Sequence, residues 1–230
     1  MDGMTPPLRR WLGKAMRWIA LVIAAWYALS ALAILSLRWI NPLTTSVQIQ
    51  RRVESLVAHR QYTKRYRFVP LSRISPDLQH AVIAAEDGRF WQHHGFDWQE
   101  VHKVIERDRE RGKLGRGAST ITQQLMKNLF LTTQRSILRK GVEAALVPLA
   151  EILLGKNRIL ELYLNVIEWG PGVYGAEAAS ENWYHVPAAR VGRERAARLA
   201  AIIPNPRKRP PDRMDEYSAD ILTRRSQMGW

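Results

Sequence analysis

The sequence predicts a mainly α protein hung from one N-terminal transmembrane helix, and three observations carry that reading. From Trp18 to Leu37 the chain reads WIALVIAAWYALSALAILSL without a charge. Beyond it, apolar residues recur at three- and four-residue spacing in one segment after another, the period of a helix with one buried side. Strand-like alternation is sparse, and no internal repeat is present. The 230 residues, 46% hydrophobic and 24% charged with 9 Trp, leave room for one domain with a substantial core and argue against disorder.

At 1.5 Å per residue the uncharged run spans about 30 Å, the thickness of a bilayer's hydrocarbon core. Arg17 and Arg38 bracket it, with Trp18 and Trp39 at the two interfaces, where indoles prefer to lie. Arg9, Arg10, Lys14 and Arg17 precede the run, so the positive-inside rule places the N-terminus in the cytoplasm. Residues 1–17 then read as a cytoplasmic tail, 18–40 as the anchor, 41–69 as a linker and membrane-proximal segment, and 70–230 as an extracytoplasmic (periplasmic) domain. Ala31-Leu32-Ala33 resembles a signal-peptide cleavage site, yet the apolar run continues through Ile34, Leu35 and Leu37, which favours a retained anchor.

Asn41-Pro42 breaks the helix at the outer face. The basic-aromatic stretch Arg60 to Phe68 (RQYTKRYRF) reads either as a solvated linker with a first docking strand or turn, or as a contact with anionic headgroups. Pro76 to Glu86 carries Leu78, Ala81, Val82 and Ala85 at helical spacing, started by Ser75-Pro76. Helices are expected at Thr120 to Leu129, Ser136 to Leu154, Lys156 to Asn165 and Arg195 to Ile203, the last stopped by Pro204 and Pro206. Pro148 should kink the second of these or cost it a hydrogen bond.

The net charge of +14 suits an anionic partner: nucleic acid, a membrane surface or a phosphorylated substrate. With the basic domain outside the cytoplasm, no nucleic acid is expected. The absence of cysteine excludes disulfides, thiolate nucleophiles and Cys-ligated zinc.

Four clusters carry candidate chemistry. In Glu86-Asp87-Gly88-Arg89-Phe90-Trp91-Gln92-His93-His94-Gly95, a helix delivers two adjacent carboxylates into a loop rich in aromatics. Desolvation there would raise a carboxylate's pKa and improve it as a general base; the plainer alternative is a helix end with solvated acids. In Gly117-Ala118-Ser119-Thr120-Ile121-Thr122-Gln123-Gln124-Leu125-Met126-Lys127-Asn128, Thr120 and Gln123 have capping-box spacing. The helix start would offer free N–H groups and two hydroxyls to a phosphate or pyrophosphate, with Lys127 two turns along the same face as Gln123 and Gln124. An ordinary capped helix is the alternative. Third, Arg139, Lys140 and Glu143 share one side of the next helix, opposite an apolar side of Leu138, Val142, Ala145, Leu149 and Ile152. They form either a surface salt bridge or a set that neutralises a leaving pyrophosphate. In the fourth, Lys156 to Asn165, the residues Ile159, Leu160 and Leu164 read as core, and Glu161, Tyr163 and Asn165 as structural.

The blocks EDGRFWQHHG, GASTITQQLMKNLFL, RKGVE and KNRILELYLN, followed by GVYGAEAAS and AAIIPNP, resemble the peptidoglycan glycosyltransferase family in order and spacing. That family holds monofunctional biosynthetic transglycosylases and the polymerising domain of class A penicillin-binding proteins; a short chain with one anchor is similar to the former. The resemblance implies a lysozyme-like α-helical head and a small membrane-associated jaw, here between Phe96 and Gly117. It implies elongation of glycan strands from a lipid-linked disaccharide-peptide (lipid II), with inversion and release of undecaprenyl pyrophosphate. By the same resemblance Glu86 is the general base, and Glu143 assists departure of the pyrophosphate, through neighbouring cations or a divalent cation (Mg or Mn). Ser119, Lys127 and Arg135 match donor-site residues, while Thr120, Gln123, Gln124, Asn128, Arg139 and Lys140 match the cleft. Asp87, Phe90, His93 and Gly95 shape the first motif. His93 and His94 invite a metal, but nothing in the sequence completes a ligand set. The partners implied are lipid II, the growing lipid-linked glycan and the membrane, with cell-division or penicillin-binding proteins admitted.

A lysozyme-like muramidase is the enzymatic alternative. The cationic set Lys127, Arg135, Arg139 and Lys140 argues against it, since cutting a neutral glycosidic bond needs no pyrophosphate clamp. A membrane-anchored scaffold is the non-enzymatic alternative, disfavoured by carboxylates set among those cations. No Ser-x-x-Lys or Lys-Thr-Gly signature of a transpeptidase is present.

Overall fold

The computed structural model describes residues 6–112 and 119–230; Gly117 and Ala118 of the second motif, and the end of the expected jaw, lie outside them. The protein is mainly helical: α1 (Pro6–Ser36), α2 (Ser46–Val57), α3 (Pro76–Glu86), α4 (Trp98–Arg111), α5 (Ile121–Phe130), α6 (Ile137–Leu154), α7 (Lys156–Val166), α8 (Ala176–Tyr184), α9 (Arg193–Ile202) and α10 (Asp215–Gln227). Three short strands, β1 (Arg65–Tyr66), β2 (Glu168–Gly170) and β3 (Val173–Tyr174), form one sheet in the order β1-β3-β2, with β1 parallel and β2 antiparallel to β3.

The stretch Trp11–Ser36 of α1 is long and apolar enough to cross a membrane, and almost all its side chains face outward. Only its end joins the domain. Ile34 and Leu37 are buried, α1 packs on α6, and Arg158 of α7 donates to the carbonyls of Leu37 (2.8 Å) and Ile40 (3.3 Å) and to Asn41 Oδ1 (2.8 Å). The end of α1 is therefore fixed to the head by packing and by one guanidinium.

In the head, α3 packs against α9 and α10, while α5 packs against α2, α6 and α7. The inner side of α9 is Ala196, Ala197, Ala200 and Ala201, small residues that let α3 approach closely. Ser75 caps α3 by accepting from Leu78 N–H at 3.1 Å, with Pro76 in the first turn. Burial of Ile121, Thr122, Leu125, Met126 and Leu129 makes α5 a central helix. Asn165 holds the incoming chain by a reciprocal amide pair with Val69, both bonds 2.9 Å, and Glu161 accepts from Leu71 N–H at 2.9 Å.

The structure departs from the sequence reading in several places: α4 and α8 were not among the expected helices, and three further differences matter more. The segment 41–69 contains α2, capped by Thr45, where only a linker and a strand or turn were expected. The C-terminal α10 was not foreseen either. Third, α6 is turned inside out relative to expectation: Leu138 and Ile152 are 83% and 78% exposed, whereas Glu143 is 2% exposed. Its inward stripe is Glu143, Leu146, Val147, Ala150 and Leu154, while in the stripe chosen from the sequence Val142, Ala145 and Leu149 are half-buried and its two ends are exposed. Pro148, exposed on that outer side, does not end the helix.

Candidate active site

Glu86 is the last residue of α3, so its carboxylate leaves the helix where the backbone turns into the first motif's loop. Gln124 of α5 donates to Glu86 Oε2 at 2.7 Å, and Tyr163 of α7 donates to Gln124 Oε1 at 2.9 Å. The Tyr163 bond fixes which end of the amide faces the carboxylate. Burial pushes the Glu86 carboxyl above its ordinary range, with Asp87 adding to the rise; Gln124 and Lys127 oppose it. A partly desolvated carboxylate with one donor is suited to accept a proton.

Asp87 is the joint between the first two motifs. Its Oδ1 lies 2.8 Å from His93 Nε2, and its Oδ2 accepts from Ile121 N–H, the first residue of α5, at 2.9 Å. Gly95 N–H donates to His93 Nδ1 at 3.1 Å, which leaves Nε2 as the protonated, donating nitrogen. Thr120 Oγ donates to the Gly95 carbonyl at 2.6 Å. Gly95 sits at φ +89°, and a Cβ there would lie 2.3 Å from Val147 Cγ1, so glycine is required.

This joint corrects one expectation. The start of α5 is not open to a phosphate: Asp87 takes Ile121 N–H, and Thr120 and Gln123 complete a reciprocal capping box. Thr120 and Gln123 thus serve the fold of the site, with a carboxylate already at the helix dipole's positive end.

The cations gather one helix further on. Arg139 donates to Glu143 Oε2 at 2.6 Å, and Lys140 pairs with Glu143 Oε1 while also donating to Ser119 Oγ at 3.2 Å. Lys127 lies in the fields of Glu143, Arg139, Glu86 and Lys140, with burial the main force lowering its pKa. Among the described residues no acidic group comes within ion-pairing distance of its ammonium. A desolvated cation without a close counter-ion is favourable only where an anion arrives. Asn128 donates to the Gln124 carbonyl at 2.8 Å. Arg135 is exposed in the α5–α6 loop, and the structure does not draw it into this cluster.

Two hollows flank the Glu86–Gln124 bond. One, of 610 Å³, is walled by Glu86, Ser119 and Thr120, by Lys103 and Arg107 of α4, and by Tyr217 and Arg224 of α10. The other, of 210 Å³, runs past Gln124, Lys127 and Asn128 to Arg51, Glu168 and Arg207. Arg51 lies 3.2 Å and Arg207 4.0 Å from Glu168. The sequence reading missed Tyr163, Tyr217, Arg224 and the Arg51–Glu168–Arg207 set. The one signal in the sequence for the last is the basic run Arg207-Lys208-Arg209 after Pro206.

A divalent cation does not fit the groups present. Both Glu143 oxygens are already held by Arg139 and Lys140. Asp87, His93 and Asp97 bring ligand atoms within 4.8 Å of one another, but each of these side chains is already hydrogen-bonded within the protein. Asp97 Oδ1 takes Arg89 at 3.2 Å and Glu100 N–H at 3.0 Å, and the other two are committed as described.

The family model described as Transglycosylase matches residues 53–228. The chain belongs to the peptidoglycan transglycosylase family. It is 43% identical over 199 residues to a biosynthetic peptidoglycan transglycosylase of Laribacter hongkongensis, covering 84% of this chain and 87% of the relative. To that of Thiobacillus denitrificans it is 46% identical over 202 residues, 87% and 86% of the two chains. For an Azoarcus relative the identity is 41% over 224 residues, 97% and 96% of the chains, so the match takes in most of α1. The family is one of glycosyltransferases with a lysozyme-like domain, which the helical head fits. Membership of this peptidoglycan transglycosylase family supports glycan-chain polymerisation rather than cutting.

Proposed function

We propose that this transglycosylase polymerises lipid II at the outer face of the cytoplasmic membrane, with α1 as a single-pass anchor and the head outside. The observation that carries the reading is a desolvated base, Glu86, bonded to Gln124, with a desolvated cation, Lys127, one turn further along the same helix. Glu86 takes the proton from the 4-hydroxyl of the incoming disaccharide. That oxygen attacks the anomeric carbon of the lipid-linked donor from the face opposite the leaving group, and the configuration inverts. The bond from the anomeric carbon to the pyrophosphate oxygen breaks, and undecaprenyl pyrophosphate departs. Its developing charge falls to Lys127 and Lys140, with Ser119 alongside. Glu143 acts through its neighbours: by holding Arg139 and Lys140 it keeps two cations in place within one turn.

The test is the donor's phosphate chemistry. Lys127→Met keeps the aliphatic stem and removes the charge. Affinity for a non-hydrolysable phosphonate analogue of the lipid-pyrophosphate donor should fall about 10–100-fold, the worth of one charge-assisted hydrogen bond. Unchanged affinity would remove Lys127 from the donor site.

A further inference from the structure

Among the helices of the head, α2 has its polar and apolar sides reversed. Its inward side is Val47, Gln48, Arg51 and Ser55, where Gln48 is buried and Arg51 reaches Glu168. Its outward side is Ile49, Val53, Leu56 and Val57, a stripe at i, i+4, i+7 and i+8 that is 51% to 76% exposed. Between this stripe and Thr132 and Gln134 runs a shallow apolar groove of 610 Å³. The first turn of α6 adds two more outward apolar side chains, Ile137 and Leu138, 92% and 83% exposed. An apolar stripe on α2 with two exposed apolar residues beside it on α6 is the kind of patch that marks a protein or membrane contact.

The geometry points to the bilayer itself as the occupant: α2 and the first turn of α6 lie in the outer-leaflet interface, with Ile49, Val53, Val57, Ile137 and Leu138 among the acyl chains. Three features favour lipid over a protein partner. Only residues 37–45 separate the end of α1 from α2, and Arg158 clamps Leu37, Ile40 and Asn41 to the head, so α2 is kept close to where the anchor leaves the membrane. α6 packs directly on α1, and Ile34, buried in that region before the anchor's end, places part of the head about 5 Å down the spanning helix. Exposed cations, Arg52 on α2 and Arg135 beside Gln134, flank the stripes where phosphate headgroups would lie. This seating would hold the donor side of the cleft at the headgroup level.

The inference rests on α1 being a membrane anchor but not on the reaction, and its test reads neither polymer nor donor. The chain has no cysteine, so single cysteines at Val53, Leu138, Val22 and Asp220 can each carry an environment-sensitive fluorophore. The full-length protein is placed in vesicles of phosphatidylethanolamine and phosphatidylglycerol with brominated acyl chains. Labels at Val53 and Leu138 should be quenched at least twofold more than the label at Asp220 on exposed α10. Quenching at both positions no greater than at Asp220 overturns the proposal, whether or not the emission shifts through self-association. The label at Val22, inside α1, separates the two claims: if it is quenched and the other two are not, the anchor stands and the docked face falls. If Val22 too is unquenched, both fall.

Discussion

Glu86 and Lys127 are held in charge states that cost the fold, and that cost is measurable. The Glu86 carboxyl has a folded pKa above its unfolded value, so its contribution to stability is fully present below the unfolded pKa and lost as pH rises through the folded one. Glu86→Gln should therefore raise the melting temperature at neutral pH, by about 2–4 °C for each kcal/mol recovered, while turnover falls by about 10²–10⁴-fold. A variant that is both less stable and nearly fully active would contradict the assignment of the base. Gln124 supplies a second reading of the same site. Its hydrogen bond favours the ionised form, so in Gln124→Leu the acid limb of kcat/KM should move to still higher pH; a limb that stays or moves down would show that Gln124 does not tune Glu86.

At the level of elements, the joint between α3 and α5 depends on Gly95. Gly95→Ala must relieve a 2.3 Å contact with Val147 and an unfavourable φ, costing about 1–3 kcal/mol, and should displace Thr120 and with it the start of α5. Gly141→Ala, exposed inside α6 with nothing within 4 Å of the added carbon, is the control expected to melt no lower than the parent. What was legible in the sequence divides along the same lines. Helices with a chemical start signal were readable: Ser75-Pro76 opens α3, and Thr120 with Gln123 boxes α5, as the structure has them. The side of α6 that faces inward was not, because choosing the apolar stripe as the buried one assumes that water lies opposite. In α6 a second apolar stripe, Leu146, Val147, Ala150 and Leu154, takes the buried side together with Glu143, so Leu138 is outside and Glu143 inside. For α2 the failure is similar: Gln48, Arg51 and Ser55 inside and Ile49 and Val53 outside give no water-facing helix pattern. α10 was missed for another reason: it is mostly polar, and its buried side is little more than Ser218, Ile221 and Arg225.

On the scale of the whole molecule, motifs far apart in sequence meet at one amide: Gln124 joins Glu86 of α3 to Tyr163 of α7, while Lys127 one turn on senses Glu143 of α6. The residues of this meeting point were legible as motifs, but their division of labour was not. Sequence spacing cannot show that Asp87 fills the α5 start that looked open to phosphate, or that α10 brings Tyr217 and Arg224 to the cleft. In the function proposed above, α1, the cations and Glu86 together make a site for joining activated, membrane-bound sugars. The decisive measurement is to supply the full-length protein in a bilayer with a fluorescent lipid-linked disaccharide-peptide and resolve the products by size. A ladder of glycan polymers that a separate muramidase returns to disaccharide units, unaffected by penicillin and absent with Glu86→Gln, is the expected result. Soluble fragments released from finished peptidoglycan, with no polymer made from the precursor, would contradict it.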